Sequence, residues 1–288
     1  KKDETAEALS MGIPKPWYAD ESPRQKVFLK GFYIDTFEVT NERYKKYVDA
    51  TEAVPPGNWK DNNFIAGKDK EPVTWVTWFD AANFCQWAEK KLPSEKQWER
   101  AAKGTNGNEY PWGNEFQPNI AYLSNRAGSK NKPVAVGSFP KSASKEGIHD
   151  LIGNVWEWVA DDYKPYKGST HKNDYYDSGY KIIRGHSASD IGHFPMYADA
   201  IKKFARSGYR QFANPDEPGP DVGFRCASEN KPTAVKTGLS LSGQPANSSA
   251  ATGTIEKPAS LNTASKTAAP FNPFAPKPNL PDSGILVL

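Results

Sequence analysis

The sequence predicts an α+β domain with long irregular stretches, followed by an extended C-terminal tail. Three observations carry this expectation. Three helical signals stand close together between residues 40 and 104, residues 105–230 hold only short apolar runs broken by turn residues, and composition changes abruptly after "GFRCASE". Helices first, then irregular β-rich structure, is the order of an α+β architecture. The boundaries follow: a body over residues 1–230 and a Pro/Ala/Ser-rich tail over 231–288.

In "VTNERYKKYVDAT", Thr40 is the expected N-cap, and Tyr44, Tyr47 and Val48 fall at helical spacing on one face. In "TWFDAANFCQWAEKKL", a helix starting at Thr77 places Ala81, Ala82, Cys85 and Ala88 together. In "PSEKQWERAAKG", Ser94 and Gln97 form a capping box, and Gly104 supplies the C-terminal stop. Beyond that point, "PVAVGSF" and "YKIIRGHS" read as short β-type segments.

The stretch "HDLIGNVWEWVADDY", residues 149–163, fits neither an ordinary helix nor an ordinary strand. Gly153 lets the chain wrap tightly. Alternation from Val155 then sends Glu157 to one side while Trp156 and Trp158 pack on the other. A plain packing reading makes this a Trp-rich core strand with Glu157 paired to Arg184 or Arg225.

The chain has 288 residues with 9 Trp, 14 Phe and 13 Tyr, enough aromatic mass for a substantial core. Nowhere does it reach the roughly 18 consecutive apolar residues of a membrane helix. Residues 231–288 carry five lysines against Glu256 and Asp282, a net of +3 that equals the whole-chain total. A neutral body with a mildly basic tail excludes nucleic-acid binding, which requires clustered Lys and Arg. Within the tail, "SGQPANSSAATGT" has linker composition. "PFNPFAPKPNLPDSGILVL" differs, combining prolines with Phe271, Phe274 and an apolar end, the composition of an extended groove ligand. Two cysteines, Cys85 and Cys226, stand too far apart for a local metal or redox motif. Their spacing leaves open two separate buried thiols or one long-range disulfide.

Taken together, "GFYIDTFEVTNERYKKYV", "PVTWVTWFDAANFCQWAEKKLPSEKQWERAAKG", "YPWGNEFQPNIA", "VGSFP", "DLIGNVWEWVADDY", "IIRGHS" and "VGFRCA" occur in a recognisable order. The chain resembles the formylglycine-generating enzymes, the sulfatase-modifying factor family, from about Met11 to Ala227. The resemblance implies a variant of the C-type-lectin-like fold, low in regular secondary structure. It also implies a disulfide between Cys85 and Cys226, which match family positions bridged in some members. A disulfide implies an oxidising, extracytoplasmic compartment, with the periplasm as the expected one.

The family's oxidases use two copper-binding cysteines ahead of an Arg-x-x-x-Arg element, matched here by Arg206 and Arg210. Tyr197 and Lys202 occupy the cysteine positions. Neither side chain supplies a thiolate, so copper chemistry of that kind is not expected. The family's structural calcium is held at positions matching Asp150, the Gly153 and Val155 carbonyls, and Glu157; Ca²⁺ is therefore the expected cofactor. A second family calcium site matches Asn119 and the Ile120 carbonyl, but Gly128 falls near its acidic position, making that site weak. His186 and His193 are a further candidate metal pair, with His171 or Asp190 as possible companions, against the plainer reading of polar packing groups. Arg184, Arg206, Arg210 and Arg225 read as structural, holding carbonyls and carboxylates in a loop-rich fold.

These features point to a non-catalytic scaffold or assembly subunit of an extracytoplasmic multiprotein complex, with protein partners docked through the body and the tail 231–288. Two alternatives remain: a metal-dependent oxidoreductase built on His186 or His193, and a ligand- or carbohydrate-binding module suggested by the fold alone.

Overall fold

The computed structural model describes residues 19–123, 131–189 and 198–231, together with the short strand at 285–287. Its first helices are fixed by the caps that the sequence announces. Helix α1 (Asn41–Thr51) starts where the Thr40 side chain accepts from Arg43 N–H, and buries Tyr44, Tyr47 and Val48. Helix α2 (Trp78–Trp87) opens with a capping box between Thr77 and Asp80. Helix α3 (Glu95–Lys103) opens with the box between Ser94 and Gln97, and ends at Gly104 with φ 63°. The α2 face differs in detail from the expected alanine stripe. Ala81, Phe84, Cys85 and Trp87 are buried, whereas Ala82 and Ala88 are only partly covered. The large aromatics take the core because they remove more apolar surface from water than alanine does.

A four-stranded sheet in the order β4-β3-β2-β5 backs the helices. Strand β2 (Trp156–Asp162) pairs antiparallel with β3 (Lys181–Arg184) and parallel with β5 (Val222–Phe224), while β3 pairs antiparallel with β4 (Gln211–Ala213). Helix α4 (Ala198–Phe204) lies between β3 and β4 in the chain. A second, three-stranded sheet places β1 (Tyr33–Asp35) between β6 (Ala227–Ser228) and β7 (Ile285–Val287).

Strand β2 separates two apolar clusters. Trp156 and Trp158 belong to the one built on α1 and α2 with Tyr44, Phe84 and Phe224. Val159 belongs to the other, built on α3 with Trp98, Ile34 and Ile148. One expected β-type segment is absent: "PVAVGSF" forms a turn. Two of its N–H groups are taken by side chains, Val134 N–H donating to Asn154 Oδ1 at 3.0 Å and Gly137 N–H to Asp150 Oδ2 at 2.6 Å, while Val136 N–H donates to the Lys70 carbonyl at 2.9 Å.

Cys85 and Cys226 form the disulfide, with Cα atoms 5.6 Å apart and 141 residues of separation. It ties α2 to the segment joining β5 and β6. A closed loop of this length restricts the unfolded chain by about 4–5 kcal/mol on the chain-entropy estimate. The double substitution Cys85→Ala/Cys226→Ala should therefore lower unfolding free energy by several kcal/mol in urea titrations. A loss below about 1 kcal/mol would place the stabilisation elsewhere.

Candidate functional site: a buried charge centre at the 149–163 loop

The loop leading into β2 is shaped by three residues with left-handed backbone: Asp150 (φ 55°), Gly153 (φ 93°) and Asn154 (φ 60°). Asp and Asn tolerate this region better than other residues with a side chain. Gly153 has a steric reason as well. A Cβ there would lie 2.4 Å from the Tyr122 carbonyl oxygen, so only glycine fits. The wrapped loop turns Asn154 inward, where its Nδ2 donates to Glu38 Oε2 at 2.8 Å and to the Val134 carbonyl at 3.3 Å.

Glu157 is fully buried and faces Arg225. Arg225 Nε donates to Oε2 and Nη2 to Oε1, both at 2.7 Å, and Trp98 Nε1 donates to Oε2 at 2.9 Å. The remaining guanidinium donors reach backbone. Nη1 bonds the Asp35 and Thr36 carbonyls at 3.1 Å, and Nη2 bonds the His149 carbonyl at 2.8 Å. Of the two arginines that sequence reasoning offered to Glu157, the structure selects Arg225. Arg184 lies opposite Glu157 in the β2–β3 register but turns to Glu95 at 2.9 Å and Glu99 at 2.8 Å.

Glu38 completes the centre, and the sequence reading missed it. The available signal was a lone acid inside the apolar run "FEVT", the same pattern that flagged Glu157 between its tryptophans. Burial, reinforced by the nearby Asp150 and Glu157 charges, pushes the Glu38 carboxyl well above the usual range. Burial also raises Asp150, against the Gly137 N–H and Arg225, which pull it down. Glu38 Oε1 is buried without a hydrogen-bond partner. Three carboxyl groups thus lie near one guanidinium that bonds Glu157, and one Glu38 oxygen is unsatisfied.

The family resemblance implies a hard cation at this loop, yet both Glu157 oxygens already accept hydrogen bonds, from Arg225 and Trp98. Among the described residues, no three His, Cys, Asp or Glu side chains converge on one point. A Ca²⁺ ion at Asp150 and Glu157 would therefore draw much of its shell from the Gly153 and Val155 carbonyls and from water. Glu157 would then be shared between the ion and Arg225.

The other sequence candidates are more scattered. Asn119 is exposed and Ile120 half-buried, with Ile120 packed against the α3 cluster; Gly128 lies outside the described residues. His186 is buried in the left-handed region, stacked 5.1 Å from Trp156, with Nδ1 2.7 Å from the Ser187 carbonyl. It is a packed aromatic in the α1–α2 cluster region. His193, Asp190 and Tyr197 lie outside the described residues. Lys202 is exposed on α4, and its carbonyl accepts from the Tyr110 hydroxyl at 3.0 Å. The Arg-x-x-x-Arg element is engaged in the frame. Arg206 binds Glu21 through two bonds of 2.7 Å, and Arg210 Nε donates to Glu95 at 2.7 Å. A cleft of about 540 Å³ opens beside Arg206, lined by Glu21, Arg24, Glu99, Lys103 and Glu109, with charges of both signs interleaved.

A carboxyl raised in the folded chain keeps a proton that the unfolded chain has lost. Stability then falls as pH rises from the ordinary Glu range through the folded-state value. Glu38→Gln keeps an oxygen for Asn154 and removes the titration. In metal-free buffer this variant should exceed the wild type at pH 8 by about 1–3 kcal/mol, the cost of an unsatisfied buried group, and match it near pH 4. Denaturant titrations at the two pH values check this; equal pH dependence in both proteins would mean that Glu38 does not carry it.

Comparison with known proteins places this geometry. Residues 6–230 match the sulfatase-modifying factor enzyme 1-like domain. The mouse protein named inactive C-alpha-formylglycine-generating enzyme 2 is 32% identical over 269 residues, covering 76% of this chain and 82% of its own. The mouse formylglycine-generating enzyme is 26% identical, covering 80% of this chain and 75% of its own. Among solved structures, PvdO from Pseudomonas aeruginosa superposes with a TM-score of 0.56 at 28% identity, covering 74% of this chain and 86% of its own. Treponema denticola variable protein 1 shares the fold at a TM-score of 0.51 and 20% identity, covering 69% and 84%. With its α+β body, bridged cysteines and wrapped Gly-Asn loop, the chain belongs to the formylglycine-generating enzyme, or sulfatase-modifying factor, family.

Proposed function

We propose that this protein is a non-catalytic member of its family that serves as a structural subunit of an extracytoplasmic assembly. The observation that carries the reading is the fate of its cysteines. Both are consumed in the Cys85–Cys226 bridge. Lys202 and Tyr197 stand where the oxidases carry thiols, so no thiolate remains for copper binding or sulfur redox chemistry. The 32% identity to a mouse relative named as inactive supports the same reading. The disulfide supports an oxidising compartment, the periplasm among those that qualify. Among the described residues no helix is long and apolar enough to cross a membrane.

What the frame retains is the part that holds a shape: the bridge, the charge centre and the two apolar clusters. A rigid surface with an appended Pro-rich segment suits docking, in which the segment lies along a neighbour and adds contact area without a second folded domain. Mild purification of the native protein should bring fixed partners at constant stoichiometry. A chain cut after residue 230 should keep its circular dichroism and lose those partners. Recovery of the wild-type chain alone, or an unchanged complex after truncation, overturns the respective half of the proposal.

Calcium at the loop is part of this reading, as a stabiliser of the frame. In chelator-treated protein, millimolar Ca²⁺ should raise the unfolding midpoint, with a gain in unfolding free energy of about 2.7 kcal/mol when the ion stands at a hundredfold its Kd. Asp150→Ala should abolish the response. An unchanged midpoint in the wild type would leave Arg225 as the only counter-charge.

A further inference from the structure

Strand β1 lies between two partners of different origin. On one side is β6, anchored one residue after the disulfide. On the other is β7, with Tyr33 opposite Val287, Ile34 opposite Leu286 and Asp35 opposite Ile285. Residues 232–284 separate this last strand from the described end of the body. The sheet is thus completed by a segment that the body reaches only through a long connection.

The hydrogen-bonding sense of β1 follows from one contact. Asp35 N–H donates to the Cys226 carbonyl at 2.9 Å, toward the β6 side. Backbone groups alternate along a strand, so the N–H and carbonyl of Ile34 face β7 and meet Leu286. Without β7 these groups form an unpaired edge, which templates strand addition.

Nothing in this pairing depends on which molecule supplies the strand. A neighbouring copy offers the same sequence and makes the same bonds. The segment between the body and this strand, residues 232–284, is long enough at up to roughly 3.3 Å per residue to reach an adjacent molecule. Tethering gives an effective concentration on the order of millimolar. The chain's own strand therefore closes its β1 in dilute solution, and a neighbour's strand competes once copies are held side by side.

We propose that the β1 edge is a strand-acceptor site, and that in the assembled state its occupant is strand 285–287 of a second copy of this chain. The proposal deepens the assembly reading, and rests on it for the exchange between copies. The apolar end of the tail thereby becomes a link between subunits, read by backbone pairing.

The test uses the full chain with Leu286→Pro, which removes the strand's central donor, and follows amide exchange by NMR. Ile34 N–H should exchange at least tenfold faster than in the wild type. Asp35 N–H, bonded to Cys226, should keep its protection and so report an intact body. Loss at both amides would show the same dependence of β1 on β7. Isotope-labelled Leu286→Pro chains are then mixed with unlabelled wild type, or with a peptide of residues 279–288. Ile34 protection in the labelled chain should return as either donor approaches millimolar concentration. An Ile34 amide that exchanges equally in variant and wild type overturns strand acceptance. An exposed amide that neither donor rescues overturns exchange between copies. A native chain that purifies without partners would remove the assembly reading and leave these amide measurements unchanged.

Discussion

The structure depends on one buried ion pair, Arg225 with Glu157. Its guanidinium spends every donor inside the protein, on the carboxylate and on three backbone carbonyls from residues 35, 36 and 149. Those carbonyls belong to the exit of β1 and to the loop that wraps before β2. One side chain therefore fixes the relative positions of the first strand, the Gly-Asn loop and the central sheet. Removing one partner of such a pair typically costs about 3–5 kcal/mol, because the other charge stays buried. Here the stranded charge would be Glu157, already beside Glu38 and Asp150.

The same device recurs. Arg184 donates to the Ser207 carbonyl, and Arg210 to the carbonyls of Asp20 and Lys164. Two tryptophans act alike: Trp78 Nε1 reaches the Val159 carbonyl and Trp158 Nε1 the Val76 carbonyl. A fold with short strands leaves many buried carbonyls without a ladder partner, and each must be satisfied. Arginine forks and indole N–H groups do that work while their flat surfaces pack against aromatics. This gives Trp78 and Trp158 a role beyond the apolar area they bury.

What could be read beforehand divides along the same line. The first three helices were legible because capping is local, Thr40, Thr77 and Ser94 each bonding within three residues, whereas α4 was not expected. The alternation around Glu157 was legible for the same reason. For Glu38 the local pattern marks only a buried acid, and its partner Asn154 stands 116 residues away, beyond what such a pattern can name. The choice of Arg225 over Arg184 was equally invisible, because both precede or follow short strands in similar sequence surroundings. The stretch "PVAVGSF" forms a turn instead of a strand, with N–H groups divided between the distant side chains of Asn154 and Asp150 and the Lys70 and Ala135 carbonyls.

One arrangement has a consequence for how the chain comes into being. Residue 35 near the beginning meets residues 225 and 226 near the end of the body, and residue 85 is bridged to 226. Contacts between such distant positions close late, since the intervening chain must first be searched. The core around Arg225 stays open until almost the whole body has emerged from the ribosome. A body cut short of residue 225 would therefore lack the donors that hold the exit of its first strand and its wrapped loop in place.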